Sequence, residues 1–220
     1  MGYEHRYKYG KQEEHLSFEE IQEKFKAAAH SLSLEAQAFF WLLYYVGCRK
    51  SEAYERLCSD LQATETHLII DFHKRKKGSA EVPPIELPRW FPGVEIIVEH
   101  WMKANQKRSR KKLFEKTTKG ERSTEYRRGI WLFPHIQSRW AQVIVKKILG
   151  EKYYPHFLRL NRISELCSNP EANIEMIKSW SGIKSIRVIE AYLGASRKEQ
   201  KKSTDWMAKQ ISPEQQNRIQ

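Results

Sequence analysis

Cysteine is scarce in this chain of 220 residues: Cys48, Cys58 and Cys167 are all it has, with no C-x-x-C pair and no metal-ligand spacing. That argues against a zinc site. An odd, sparse set of thiols suits a reducing compartment rather than a disulfide framework. Long apolar runs are missing as well. The longest, residues 38–48, is too short to span a bilayer and reads as a buried helix. The opening residues Met1-Gly2-Tyr3-Glu4-His5-Arg6 carry no signal-peptide core and lack the Ser or Thr of a myristoylation signal. A cytoplasmic protein with no membrane partner is therefore expected. Internal repeats are absent, and no cluster of carboxylates suggests a bound Mg²⁺. Acidic residues are outnumbered, 27 against 39 Lys and Arg, which gives a net charge of +12 and a pI near 9.5. An excess of this size points to a polyanionic partner, nucleic acid first. At 40% hydrophobic residues, the chain can still bury the core of one sizeable domain.

What is present falls into recognisable elements. Residues 1–15 are polar, charged and without periodicity, and read as an arm or linker. Ser17-Phe18-Glu19-Glu20 is a capping-box signature, and a helix is expected from there to about residue 29. Residues 34–46 form a second helix, apolar nearly all round and so placed in the core. Gly47 ends it, and Ser51 is expected to cap a short helix that follows. Residues 66–72 read as a strand, residues 73–78 as a basic turn, and residues 80–87 as a returning strand that Pro83 and Pro84 confine to an edge. Residues 93–105 and 135–149 are further helices. Between them, residues 106–128 hold ten Lys or Arg against three Glu, a net +7. Such a block is expected to be a solvated, mobile loop that tracks phosphate. Helices are expected again over 155–168, 173–181 and 185–192, followed by a polar tail.

Three short boxes stand out. Gly47-Cys48-Arg49-Lys50-Ser51-Glu52 comes first. Tyr154-Pro155-His156-Phe157-Leu158-Arg159 puts a His and an Arg three apart at the start of a helix, where they share one face. Ile177-Lys178-Ser179-Trp180-Ser181-Gly182 is followed by a helix ending in Glu190-Ala191-Tyr192. In this order, the set resembles the tyrosine recombinases, the phage-integrase family of DNA strand-exchange enzymes, over residues 16–195. An archaeal or viral integrase is the expected kind of member. The resemblance implies an α+β, mostly helical catalytic domain with a small antiparallel sheet or β-hairpin, preceded by the arm 1–15. It also implies a tail, residues 196–220, that docks on a neighbouring protomer.

Under the resemblance, Arg49, His156 and Arg159 hold the scissile phosphate and Tyr192 is the nucleophile. Lys76, or Lys74 as second choice, protonates the leaving oxygen. Glu52, Gly182 and Ile183 support the site. Lys74, Arg75, Lys77, Lys107, Arg108, Arg110, Lys111 and Lys112 are the expected DNA contacts. No metal and no cofactor is required. The partners would be double-stranded DNA and, on it, a homotetramer of a chain that is monomeric in solution and associates with the nucleoid when acting. The sequence departs from the pattern at Ile183, where the family places His or Trp, and at Leu160, where many members have a second His. Trp180 and Lys184 are the candidate substitutes. The family's N-terminal helical domain has no counterpart before residue 16, so either a catalytic fragment or a minimal member is expected. Rival readings are a type IB topoisomerase-like enzyme and a catalytically impaired DNA-binding relative.

Overall fold

The computed structural model describes residues 15–71, 83–118, 121–169 and 171–181. The polypeptide builds its core around one helix, α2 (Leu34–Val46), from which ten side chains between Ala36 and Val46 are buried. Ser33 starts it by accepting the Ala36 N–H. Gly47 stops it in the left-handed conformation at φ 57°. Because α2 is apolar all round, it must be covered all round, and α3, α4, α5 and α6 pack against it. Aromatic rings fill the space: Phe25 stacks on Phe40, Trp41 on Tyr45, Tyr45 on Phe91, and Phe39 meets Phe133 edge-on. Each such pair adds about 0.5–1.5 kcal/mol beyond area burial. A Cβ on Gly93 would lie 2.4 Å from the Trp41 ring, and Gly93 has φ 83°. Glycine is therefore required there for both space and backbone.

Helix α1 (Phe18–Ala29) carries the expected capping box, in which Ser17 and Glu20 each accept the other's backbone N–H. It buries Ile21 and Phe25. Helix α3 is short (Lys50–Tyr54) and begins two residues earlier than expected. Ser51 therefore sits inside its first turn, and Arg49 is the N-cap. The small sheet has three antiparallel strands in the order β1 (Leu61–Ala63), β2 (His67–Ile70), β3 (Ile85–Pro88). Leu68 pairs with Leu87 and Ile70 with Ile85, so every second residue faces the core. Strand β3 is at the edge, as its prolines require. Strand β1 is too short to carry a pattern in the sequence. The sheet leads into α4 (Val94–Asn105), whose buried His100 bonds the Leu132 carbonyl and stacks on Phe133.

The basic block corrects the loop expectation. It is an antiparallel hairpin of β4 (Arg110–Thr118) and β5 (Glu121–Gly129). Lys112 and Phe114 are buried, while Lys111, Tyr126 and Arg128 are exposed. The period of two is present but disguised, because cations occupy inward positions where an apolar residue would reveal it. Three helices complete the described fold: α5 (Ser138–Leu149), α6 (Pro155–Ser168), with Pro155 in its first turn, and α7 (Ile174–Ser181), capped by Asn173.

Candidate active site

Helix α6 assembles the site. Pro155 opens the helix and places His156 and Arg159 one turn apart, His156 exposed and Arg159 only 5% exposed. Arg159 donates through Nη1 to the Gly47 carbonyl at 2.6 Å and through Nη2 to the Ser181 carbonyl at 2.9 Å. Those carbonyls lie at the C-terminal ends of α2 and α7, where the helix dipole concentrates partial negative charge. One guanidinium thus ties together segments more than a hundred residues apart in the chain. It holds the α2–α3 turn, and with it Arg49, against the helix that carries His156.

Arg49 is fixed by Glu52. The carboxylate accepts the Arg49 backbone N–H at 2.8 Å and Nη1 at 2.9 Å. Glu52 is buried, while the Arg49 side chain stays 50% exposed. The arginine therefore reaches solvent from a clamped base. His156 titrates below the ordinary histidine value. Crowding by the surrounding chain is the first cause, and the charges of Arg159 and Arg49 follow. Since the ring is open to solvent, the two guanidiniums are the firmer cause, and their influence places all three residues in one electrostatic cluster. This cluster sets an imidazole held below the ordinary histidine value under the influence of two permanent cations, a charge pattern suited to a phosphodiester.

A polar network that the sequence reading missed supports α6 from below. The Asn161 amide is 2% exposed and pairs with both backbone groups of Leu16, accepting its N–H at 3.1 Å and donating to its carbonyl at 3.0 Å. Asn161 also donates to Glu165, as do Tyr44 and Arg162. The Arg162 guanidinium lies near the rings of Tyr44 and Trp180. The Asn161/Glu165 spacing of four was the available signal, because it puts both on one helix face. Leu16, where the N-terminal arm enters the described fold, is thereby attached to α6 two residues beyond Arg159.

Lys112 departs from the expected role of DNA contact. It is 4% exposed. Its ammonium donates to the Tyr54 carbonyl at 2.6 Å and to the Phe133 carbonyl, among the rings of Tyr54, Phe114 and Trp131. Burial pushes its pKa down to about 8. Its inward place in the β4 alternation is the reason it cannot reach a phosphate. Lys107, Arg108, Arg110 and Lys111 are exposed. Lys74, Arg75, Lys76, Lys77, Gly182, Ile183, Lys184 and Tyr192 lie outside the described residues. Tyr153 and Tyr154, just before His156, would be the alternatives to Tyr192 as nucleophile, and Tyr153 is buried against Phe157. The Trp180 indole N–H, a candidate substitute donor, is covered and finds no hydrogen-bond partner among the described residues. A cavity of about 370 Å³ between the α1–α2 turn and α5, lined by Leu32, Ile136, Trp140 and Val143, contains none of the predicted site residues.

No family model matches the chain, and no curated protein sequence does. Solved structures do match. The XerH site-specific recombinase bound to palindromic difH substrate, a post-cleavage complex, superposes with a TM-score of 0.61 at 14% identity, over 86% of this chain and 52% of that one. The pre-cleavage complex of XerH with difH substrate gives 0.56 at 16% identity, over 81% and 49%. The chain thus spans about half the length of these structures, and it shares with them the α+β fold of the tyrosine recombinases.

Proposed function

We propose that this chain cuts and rejoins DNA through a 3′-phosphotyrosyl intermediate, as a site-specific recombinase or integrase. The observation that carries the reading is the Arg159 clasp. It brings the three sequence boxes together, with the charges of Arg49 and Arg159 both acting on His156, inside a fold shared with site-specific recombinases.

In this reading, Arg49 neutralises a non-bridging phosphate oxygen, and Arg159 adds a fixed positive charge behind it. A tyrosine hydroxyl has a pKa near 10, so only about one part in a thousand is phenolate at neutral pH. Tyr192 therefore needs help. Its oxygen attacks phosphorus, and its proton passes to His156 or to water. The bond to the 5′-oxygen breaks, and that oxygen takes a proton from Lys76 or Lys74. The phosphotyrosyl bond conserves the energy of the cut, so the reverse attack by a 5′-hydroxyl reseals the strand. As a preorganised donor to the transition state, Arg49 is worth about a hundred- to thousandfold, while Arg159, with Nη1 and Nη2 on backbone carbonyls, contributes through its charge. Exchange between two duplexes requires an assembly of protomers on DNA, a tetramer in the resemblance.

A second reading rests on one observation. Ile183 cannot donate to phosphate where the family has His or Trp, which favours a catalytically impaired DNA-binding relative. A nicked suicide duplex separates the two. A denaturation-resistant protein–DNA adduct that forms with the native chain and is lost in Tyr192→Phe supports the cutting reading. Binding without adduct supports the impaired relative. An adduct that persists in Tyr192→Phe moves the nucleophile elsewhere, to Tyr154 first.

A further inference from the structure

The β4–β5 hairpin has two faces with opposite electrostatic outcomes. On the inner face, every described cation has a fixed partner. Lys112 is held by two backbone carbonyls. Arg127 bonds Glu55 at 2.8 Å and lies 3.9 Å from the Phe114 ring centre. On the outer face stand Lys111, Tyr126 and Arg128. None of them makes a side-chain hydrogen bond or ion pair with the described residues, and Tyr126 is 68% exposed.

Lys111 and Arg128 are direct cross-strand partners, as are Lys112 and Arg127. Like charges set opposite one another in an antiparallel pair weaken it. The fold relieves the inner pair with carbonyls and Glu55. The outer pair is left opposed, beside an exposed Tyr hydroxyl, with Arg108 and Lys107 leading into the same strand. An external polyanion would supply the missing countercharge.

The hairpin is also placed near the candidate site. Its inner anchors reach Tyr54 and Glu55, at the end of the short helix that Arg49 begins. The five residues of α3 separate Arg49 from Glu55, six helical steps or a rise of about 9 Å. A duplex seated on Arg49 would therefore pass the hairpin.

We propose that the outer face of the β4–β5 hairpin is a second contact for duplex DNA backbone, with Lys111 and Arg128 on phosphates and the Tyr126 hydroxyl beside them, two residues along β5 from Arg128. The buried Lys112 and the partly buried Arg127 hold the hairpin in place for it. This inference rests on the DNA-cutting reading and adds to it a contact outside the three sequence boxes.

The test is fluorescence anisotropy of the full chain on a labelled mixed-sequence duplex, measured across a salt series. Single-stranded RNA of the same sequence serves as a competitor. A Lys111→Ser/Arg128→Ser double variant should weaken duplex binding and flatten the log K against log salt slope by about 1 to 2, one for each phosphate no longer neutralised. A Lys24→Ser/Lys26→Ser variant on α1 removes the same charge and should change the slope less. Circular dichroism checks that each variant is folded. An equal change in both variants would show a diffuse positive field and overturn the proposal. So would an unchanged slope in the hairpin variant while the native chain binds duplex, and that outcome leaves the cutting reading intact. RNA outcompeting duplex on the native chain, with the preference lost in the hairpin variant, would reassign the face to RNA. Failure of the native chain to bind duplex at all would remove both readings together.

Discussion

Arg159 and Lys112 are both buried cations, and each holds two backbone carbonyls from segments far apart in the chain. They differ in what burial does to the charge. Arginine stays protonated under any condition a protein meets, so Arg159 is a permanent tie between α2, α6 and α7. Lysine gives up its proton when desolvated, and burial pushes Lys112 down to about 8. The tie that assembles the candidate site is therefore indifferent to pH. The tie that seats the hairpin costs the folded state free energy while it is charged. A fold can anchor two elements with the same geometry and still make one anchor conditional.

The strongest way to break this comparison is to remove the permanent tie. Arg159→Ala would leave the Gly47 and Ser181 carbonyls without their charged donor, at about 1.5–3 kcal/mol for each hydrogen bond. Urea unfolding should show a loss of roughly 3 kcal/mol or more, and adduct formation should disappear. Arg159→Lys keeps the charge but cannot fork between two carbonyls. It should retain most of the stability and still lose about a hundredfold or more in cleavage rate. A Lys variant that cleaves at the native rate would mean that the fork does not position the site.

The conditional tie is tested by pH. Between pH 8 and about 10.4, the unfolded chain holds a proton on Lys112 that the folded chain has lost. Stability from this residue should therefore rise as pH climbs through that window, and it is lowest below pH 8. The whole difference is at most about 3 kcal/mol. Lys112→Met fills the space without a titrating group. The unfolding free energy of the native chain minus that of the variant, followed from pH 7 to 11, should increase. Parallel curves would show that the carbonyls and rings hold the ammonium charged after all.

Local signals made much of the fold legible in advance. The Ser17–Glu20 box, Gly47 and Pro155 each mark a helix end through the chemistry of one or two residues, and α1, α2 and α6 follow those marks. The hairpin was hidden because Lys112 and Arg127 put charge where period-two hydrophobicity is expected. Their partners, Tyr54, Phe133 and Glu55, are far away in sequence. In the candidate site, Arg49, His156 and Arg159 could be named from their boxes. The contacts that bring them together could not, because Arg159 bonds backbone carbonyls and a carbonyl leaves no trace in the residue code. The Asn161 amide escaped for the same reason, since it pairs with the backbone of Leu16.

Asn161 supplies the uncharged version of the same device, and it gives the smallest expected effect. Its amide replaces a strand partner for Leu16, offering one donor and one acceptor to one buried residue. Asn161→Ala would leave that N–H and carbonyl to find water. Leu16 adjoins the chain entry and can shift outward more easily than the helix ends around Arg159, so the loss should be about 1–2 kcal/mol. Because the Asn161 amide itself does not ionise, the loss should be the same at pH 7 and pH 10. Hydrogen exchange should report the loss at the Leu16 amide while the amides of α2 keep their protection. Asn161→Asp should be worse than Ala, because it loses the donor to the Leu16 carbonyl and sets a carboxylate beside Glu165. If Asn161→Ala instead lowers protection throughout α6, the arm and the helix carrying His156 and Arg159 open as one unit. Tension on the arm would then be felt at the candidate site.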